Sequence, residues 1–101
     1  MKKRFIVGLD HSTTEQDTAF REYLRASGLN WWHWISDMWL LVDPYGQFSA
    51  SQLRDKLNEI YPTVRNIVIE IRSDGDTWSG YGPKSEDKNM FTWIRGKWKN
   101  D

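Results

Sequence analysis

Two aspartates that follow short apolar runs are the residues of this sequence best suited to chemistry. Asp10 comes after the run at residues 4–9, and Asp43 comes after the run at 38–42. If the ends of these runs meet, Asp10, His11 and Asp43 lie close enough to share a divalent ion. Carboxylate oxygens suit Mg²⁺ or Mn²⁺, which polarise phosphate and activate water. Aspartates at strand ends and in Asp-Pro turns also have ordinary structural uses, so a structural role is the alternative.

Tryptophan is the outlying residue type, with seven copies in 101 residues. Trp32, Trp34 and Trp39 fall in two β-rich runs that only Ser36 and Asp37 separate. A two-residue hairpin pairs Trp34 with Trp39, and paired residues share a sheet face. We therefore expect these three tryptophans together on one face.

Two hypotheses account for such an aromatic face. A second copy of the chain or a terminal helix carrying Trp93 and Trp98 covers it, because large apolar patches mark interfaces. Alternatively, the face is a platform on which nucleic-acid bases stack. Arg21 and Arg25, four residues apart on a helix, are candidates to grip phosphates, although a solvated helix face explains them equally well. His33 is expected to be a hydrogen-bonded core residue rather than a ligand.

The elements that position these residues follow from hydrophobic periodicity and capping motifs. Strands are predicted at 4–9, 31–35, 38–42 and 66–71, helices begin at the capping boxes Ser12-x-x-Glu15 and Ser49-x-x-Gln52, and an extra C-terminal helix spans 85–98. This βαββαβ order predicts an α+β, ferredoxin-like domain with an antiparallel sheet in strand order 4-1-3-2 and both main helices on one face. Taking the first and third strands as parallel neighbours brings Asp10 to Asp43.

The hairpin register also predicts which side chains lie under the helices. The side chains expected there are Phe5, Val7, Leu9, His33, Ile35, Met38, Leu40, Val42, Ile67, Ile69 and Ile71. The opposite face is expected to carry the tryptophan set with Leu41, Ile6, Gly8, Asp10 and Glu70. A slip of one residue in the hairpin would exchange the faces of a strand.

Composition limits the class of protein. The length and 39% hydrophobic content predict a single domain over residues 1–101. Fourteen basic and fourteen acidic residues cancel, so no global positive field attracts nucleic acid and any such contact must be local. The absence of cysteine excludes disulfides and thiolate ligands. No run spans a bilayer and no signal peptide is recognisable, so we expect a cytoplasmic protein with no membrane partner.

Several segments together resemble the small proteins known as SinR-like. These segments are a strand that ends in Asp10, the run Trp31-Trp32-His33-Trp34 followed by 38–42, the segment 49–57, and a late Trp-Ile-Arg element. SinR-like proteins are in turn similar to the CRISPR-associated adaptation endonuclease of ferredoxin fold and to VapD-type toxin ribonucleases. The resemblance implies a homodimer in which the aspartate ending the first strand shares a metal with its symmetry mate. Only Asp10 matches that pattern, because Leu9 stands where those families have tyrosine.

Two functions are therefore expected. The first is a homodimeric, nuclease-like protein that acts on or binds nucleic acid, with Asp10 as the catalytic residue and Mg²⁺ or Mn²⁺ held by Asp10 and Asp43. The alternative is a non-catalytic homo-oligomeric module, of phage or mobile-element origin, that engages a host factor or a small nucleotide through its aromatic surface. An enzyme needs the Asp10 carboxylate near a metal, whereas a module needs only the surface.

Overall fold

The main sheet and two helices form the architecture. In the computed structural model, which describes residues 2–72, 84–85 and 88–99, the elements are β1 (Lys3–Leu9), α1 (Thr14–Ala26), β2 (Asn30–Ile35), β3 (Met38–Asp43), α2 (Ala50–Ile60) and β4 (Asn66–Ile71). The four strands lie in the order β2-β3-β1-β4, with every neighbouring pair antiparallel. The predicted α+β class with an antiparallel sheet is confirmed, and the arrangement is compatible with a ferredoxin-like fold.

Capping side chains fix the first turn of each main helix. The α1 cap is Thr13 rather than the predicted Ser12, because Thr13 Oγ1 accepts the Gln16 N–H at 3.1 Å and the Gln16 side chain accepts the Thr13 N–H. Ser12 instead donates its hydroxyl to Asp17. The predicted cap of α2 is confirmed, since Ser49 and Gln52 make the same reciprocal pair of bonds. These bonds satisfy backbone donors that the helices cannot pair internally.

The larger core lies between the sheet and the helices α1 and α2. Its buried members are Phe5, Val7, Leu9, Phe20, Leu24, Leu29, Trp39, Leu41, Leu53, Leu57, Tyr61 and Val64. Trp39 is its largest fully buried side chain. The ring of Phe20 meets Trp39 edge-on at 4.8 Å between centroids, and the His33 ring stacks on Trp39 at 3.7 Å. The placement of Trp39 and Leu41 under the helices contradicts the sequence prediction.

A register shift in the hairpin explains part of the difference between the predicted and observed faces of β2 and β3. Ile35 pairs with Met38, as the two-residue turn requires, but an irregularity follows and Trp32 pairs with Leu40 instead of Leu41. Val7 of β1 pairs with Trp39, and cross-strand partners share a face. Since Val7 lies under the helices, Trp39 does too. The sequence of β3 is apolar at consecutive positions, so alternation alone gave no means of choosing its face.

The face of β4 was also predicted wrongly. Ile69 pairs with Ile6 and Ile67 pairs with Gly8, and these β1 positions point away from α1 and α2. Val68 pairs with Val7 and packs on the helix-side core instead. Glu70, expected on the far side, pairs with Phe5 and is half-buried at the helix side. The isoleucines therefore lie on the sheet face opposite the helices, which we call the open face.

A C-terminal segment covers part of the open face. Two short strands, β5 (Lys84–Ser85) and β6 (Lys88–Asn89), precede the short helix α3 (Met90–Trp93) and a π-helical turn (Ile94–Lys99), so the helical residues begin later than the predicted residue 85. Ile94 and Trp98 are buried against Trp32, Leu40 and Val42. The guanidinium of Arg4 lies 5.5 Å from the Trp98 ring centroid. Of the two covers expected from the sequence, the terminal segment accounts for the part of the open face around Trp32, Leu40 and Val42, against which Ile6 and Ile71 also pack.

Replacement of Trp39 by alanine is expected to destabilise the fold severely. The substitution empties the centre of the helix-side core, and comparable aromatic-to-alanine changes cost about 3–5 kcal/mol in the free energy of unfolding. Urea denaturation followed by circular dichroism measures this loss. Trp34→Ala is the matched control, because Trp34 is 47% exposed and its removal should cost less than about 1 kcal/mol. Equal losses for the two variants would contradict the core placement.

Replacement of Tyr61 by phenylalanine is expected to change how stability depends on alkaline pH. Burial of Tyr61, together with the hydrogen bond from its hydroxyl to Asp17 at 2.9 Å, raises the pKa of Tyr61 far above its ordinary value of 10.0. The stability that this raised pKa provides is complete below pH 10.0 and is lost as the pH rises above it, because only the unfolded chain ionises readily.

The slope of unfolding free energy against pH should therefore be steeper in the parent than in Tyr61→Phe above pH 10.0, by up to about 1.4 kcal/mol per pH unit. Denaturation series between neutral and alkaline pH measure the two slopes. Tyr45→Phe is the matched control, since Tyr45 is exposed. Parallel curves for the parent and Tyr61→Phe would show that Tyr61 titrates as freely as in the unfolded chain.

Candidate functional site

Asp10 lies directly after β1, at the rim of the open face. The backbone N–H of Asp10 donates to the carbonyl of Arg65 at 3.0 Å, which joins the end of β1 to the residue before β4. The side chains meet as well, with Arg65 Nε 3.0 Å from Asp10 Oδ2. The Asp10 side chain is 43% exposed and that of Arg65 is 90% exposed, so the ion pair faces solvent. This position makes the Asp10 carboxylate accessible to a ligand.

A row of cross-strand partners runs across all four strands beside Asp10. Ile35 pairs with Met38, Met38 pairs with Gly8, and Gly8 pairs with Ile67. Partners share a face, and Met38 packs with the open-face cluster. Ile35 is 50% exposed and Ile67 is 58% exposed, so the C-terminal segment does not shield the ends of this row. We call these four residues the uncovered row.

The uncovered row forms much of a cleft that Asp10 and Arg65 border. The cleft is a shallow depression of about 460 Å³ that opens widely to solvent. The lining residues are Ile6, Gly8, Leu9, Asp10, Asp37, Met38, Arg65, Asn66 and Ile67. Glycine at position 8 leaves room for the Ile67 side chain on this floor, because a Cβ would approach Ile67 Cγ2 to 3.2 Å. The cleft thus combines an apolar floor with a charged rim.

The hairpin turn contributes a second carboxylate residue to the rim. The Leu9 N–H donates to the carbonyl of Asp37 at 2.8 Å, so the β2–β3 turn is tied to the end of β1. Asp37 is exposed and lines the same cleft as Asp10. Asp37, Arg65 and Asn66 were missed from the sequence as site residues. Antiparallel pairing of β1 with β3 would have indicated Asp37, because that pairing places the hairpin turn beside the end of β1.

Asp43 does not approach Asp10, and the predicted metal pair is wrong. Because β1 and β3 are antiparallel, Asp43 pairs with Lys3 at the opposite end of β1. Seven residues of strand place the two aspartates roughly 20 Å apart. Asp43 is buried, and its Oδ2 accepts the Phe48 N–H at 2.8 Å. Asp43 therefore closes the turn between β3 and α2, which is the structural role considered as the alternative.

The three tryptophans predicted to share a binding face are separated in the structure. Trp39 is buried under the helices, and Trp32 is buried on the open face beneath the C-terminal segment. Only Trp34 keeps a large exposed surface. A continuous tryptophan platform is therefore absent from the described residues, and Trp34 is the one member of the predicted set that a large ligand can reach.

The two arginines of α1 are not brought to the cleft. A terminal guanidinium nitrogen of Arg21 donates to Thr18 Oγ1 at 3.2 Å, and the guanidinium of Arg25 lies 5.9 Å from the Trp31 ring centroid. Trp31 packs on the helix-side core. These contacts are more typical of arginines on a solvated helix face than of arginines that bind phosphate. His33 is half-buried and hydrogen-bonded to the Ser36 carbonyl at 2.9 Å, whereas the sequence analysis expected a hydrogen-bonded residue inside the core.

The donor set at the rim suits a hard cation only in part. Asp10 and Asp37 offer carboxylate oxygens, and the Asn66 side chain adds an amide. Among the residues that the structure describes, no group of three or more His, Cys, Asp or Glu side chains gathers at one point. Mg²⁺ is commonly bound through one or two carboxylates with waters and substrate phosphates. One cleft can therefore contribute to a magnesium site without completing a protein cage.

Comparison of the chain with protein-family models, curated proteins and solved structures finds no match. The SinR-like resemblance consequently stays a prediction based on the residues quoted for it. Within the described ranges, none of the helices has the length and apolar character needed to cross a membrane.

Proposed function

We propose that this chain is a ferredoxin-like, cytoplasmic homodimer that binds nucleic acid and cleaves its phosphodiester bonds with a divalent cation held at Asp10. The observation that supports the proposal best is the position of the accessible Asp10 carboxylate, at the rim of a cleft that Asp37 also lines and beside an apolar row. This function retains Asp10 as the catalytic residue and replaces Asp43 with Asp37 as the second carboxylate.

The exposed apolar residues of the open face support the proposal of self-association. The uncovered row exposes Ile35 and Ile67, and Ile69 beside it is also exposed. Exposed apolar side chains that share one sheet face are candidates for an interaction surface. A two-fold axis near Gly8 would bury the row of each copy against the other and bring the two Asp10 residues together. Two clefts would then supply two pairs of carboxylates, which is the ligand number that one chain lacks.

The charged residues of the rim would have two roles, binding the cation and contacting the phosphate. Asp10 and Asp37 would hold the cation through carboxylate oxygens, and water would complete its coordination because both side chains are exposed. A bound Mg²⁺ or Mn²⁺ supplies Lewis-acid polarisation of phosphate and a more acidic water. The Arg65 guanidinium is the positive charge of this rim and lies within reach of a phosphate bound at Asp10.

A second candidate is the non-catalytic homo-oligomeric module, of phage or mobile-element origin, that engages a host factor or a small nucleotide. Two observations favour it: the described part of one chain gathers no three-ligand cluster, and Arg65 neutralises Asp10. Such a module would use the same open face and the exposed Trp34, with no need for a metal. The two candidates differ in the role of the Asp10 carboxylate, which binds a metal in the nuclease and pairs with Arg65 in the module.

The protein is expected to be a dimer that Ile67→Lys converts into a folded monomer. A lysine charge inside a dry contact is strongly unfavourable, whereas on an exposed sheet face it stays hydrated. Light scattering coupled to size exclusion at micromolar concentration measures the mass, and circular dichroism checks the fold. Tyr45→Lys is the control, since it places the same charge on an exposed aromatic outside the row. A parent monomer, or an Ile67→Lys dimer, would disprove this interface.

Asp10→Asn is expected to abolish metal-dependent cleavage. The substitution keeps the side-chain volume and removes the charge that attracts the cation, so the affinity for Mn²⁺ and the cleavage rate should each fall by more than about tenfold. Calorimetric titration with Mn²⁺ and cleavage of labelled single-stranded RNA and DNA measure the two quantities. The Asp55→Asn control alters an exposed carboxylate on α2 that pairs with Arg54, and should change neither.

The results separate the two candidate functions. Cleavage that survives excess chelator, or an Asp10→Asn variant as fast as the parent, would refute the nuclease assignment. A parent that binds oligonucleotide without cleaving it, with Asp10→Asn unchanged in both respects, would favour the module.

A further inference from the structure

Arg65 is anchored through its backbone but not through its side chain. Its carbonyl accepts the Asp10 N–H, and it follows a turn in which Val64 donates its N–H to the Tyr61 carbonyl at 3.1 Å. Tyr61 and Val64 are both buried in the helix-side core, and Pro62 stiffens the turn between them. The position of the Arg65 Cα beside Asp10 is therefore fixed by the core of the protein.

The guanidinium of Arg65 is held much more weakly than its backbone. Within the described residues its one side-chain hydrogen bond runs from Nε to Asp10 Oδ2 at 3.0 Å, and the side chain is 90% exposed. Exposed ion pairs of this kind contribute little, because water screens them and ordering the long side chain has an entropic cost. The two terminal nitrogens remain available for the bidentate geometry with which arginine binds phosphate. The head group can thus leave Asp10 without disturbing the fold.

A cation bound at Asp10 would compete with Arg65 for its carboxylate. Arg65 is the single basic residue among those lining the cleft in the described part of the chain. On the basis of the function proposed above, we infer that Arg65 exchanges partners: it neutralises Asp10 in the unloaded protein and donates to a phosphate of the nucleic acid once a divalent cation takes Asp10. Arg65 then weakens metal binding at Asp10 in the unloaded protein and contacts the phosphate backbone of the substrate in the loaded one.

This exchange predicts opposite effects of one substitution on two ligands. In Arg65→Gln the competing charge is gone, so the dissociation constant for Mn²⁺ should fall about two- to fivefold, as expected for the loss of an exposed ion pair. The same variant should bind a single-stranded RNA oligonucleotide about tenfold more weakly in the presence of Mn²⁺, because a charge-assisted contact to phosphate is lost. The slope of log affinity against log salt should become shallower by about 0.7.

The experiment combines calorimetric titration with Mn²⁺ alone and fluorescence anisotropy of a labelled oligonucleotide at several salt concentrations. Arg65→Lys keeps the charge but not the planar fork, so it should retain the salt slope and lose part of the affinity. Arg54→Gln is the matched control, because Arg54 is an exposed arginine paired with an aspartate on α2, and it should match the parent. All variants are compared as dimers of verified fold.

The outcomes distinguish this inference from the function on which it rests. If the parent binds Mn²⁺ and RNA and Asp10→Asn loses the Mn²⁺, but Arg65→Gln equals the parent in both titrations, the exchange is wrong and the proposed function stands. Weaker Mn²⁺ binding in Arg65→Gln would also overturn the exchange, because it would make Arg65 a support of the site and not a competitor. A parent that binds neither Mn²⁺ nor RNA overturns both proposals.

Discussion

Strand β3 needs cover on both of its faces, and most of the structure depends on this constraint. Trp39 and Leu41 point to the helices, while Leu40 and Val42 point to the opposite side. Leaving either set in water would forfeit a large part of the apolar burial that stabilises so small a domain. The helices cover one set, and the C-terminal segment covers the other. The cover does not reach the end of the sheet next to the β2–β3 turn, where Ile35 and Ile67 stay exposed and the cleft lies.

The elements of the main domain could be predicted from the sequence because local interactions determine them. The Ser49 capping box, the glycine after α1 and the short β-rich runs act within a few residues, and each corresponds to an observed boundary. Which face a strand presents depends on its neighbours across the sheet. In β3 and β4 apolar residues occur at nearly every position, so the pattern lacked the contrast that fixes register. Pairing with Val7 and Gly8 decided the faces instead.

The candidate site was predictable only where it depended on one strand. Alternation along β1 alone predicted Asp10 on the side of the sheet away from the helices, and Asp10 lines the cleft together with Ile6 and Gly8. Its partners come from three separate segments, the β2–β3 turn, the residue before β4, and β4 itself, so they required the right strand directions. Taking β1 and β3 as parallel selected Asp43 at the wrong end of the sheet. With β1 and β3 antiparallel, the carboxylate beside Asp10 is Asp37. The direction of the strands therefore decided which aspartate lies near Asp10.

The π-helical cover of the open face also affects the order in which the chain can fold. Ile94 and Trp98 lie far along the chain from Trp32, Leu40 and Val42, which they bury. Contacts that close long loops form late, because the entropy of closure must be met before the contacts contribute. The helix-side core can assemble first from nearer segments, with the apolar surface of β2 and β3 bare on its other side. A chain in which the last segment had not yet docked would expose Trp32 to other chains, and aggregation would then compete with docking during refolding.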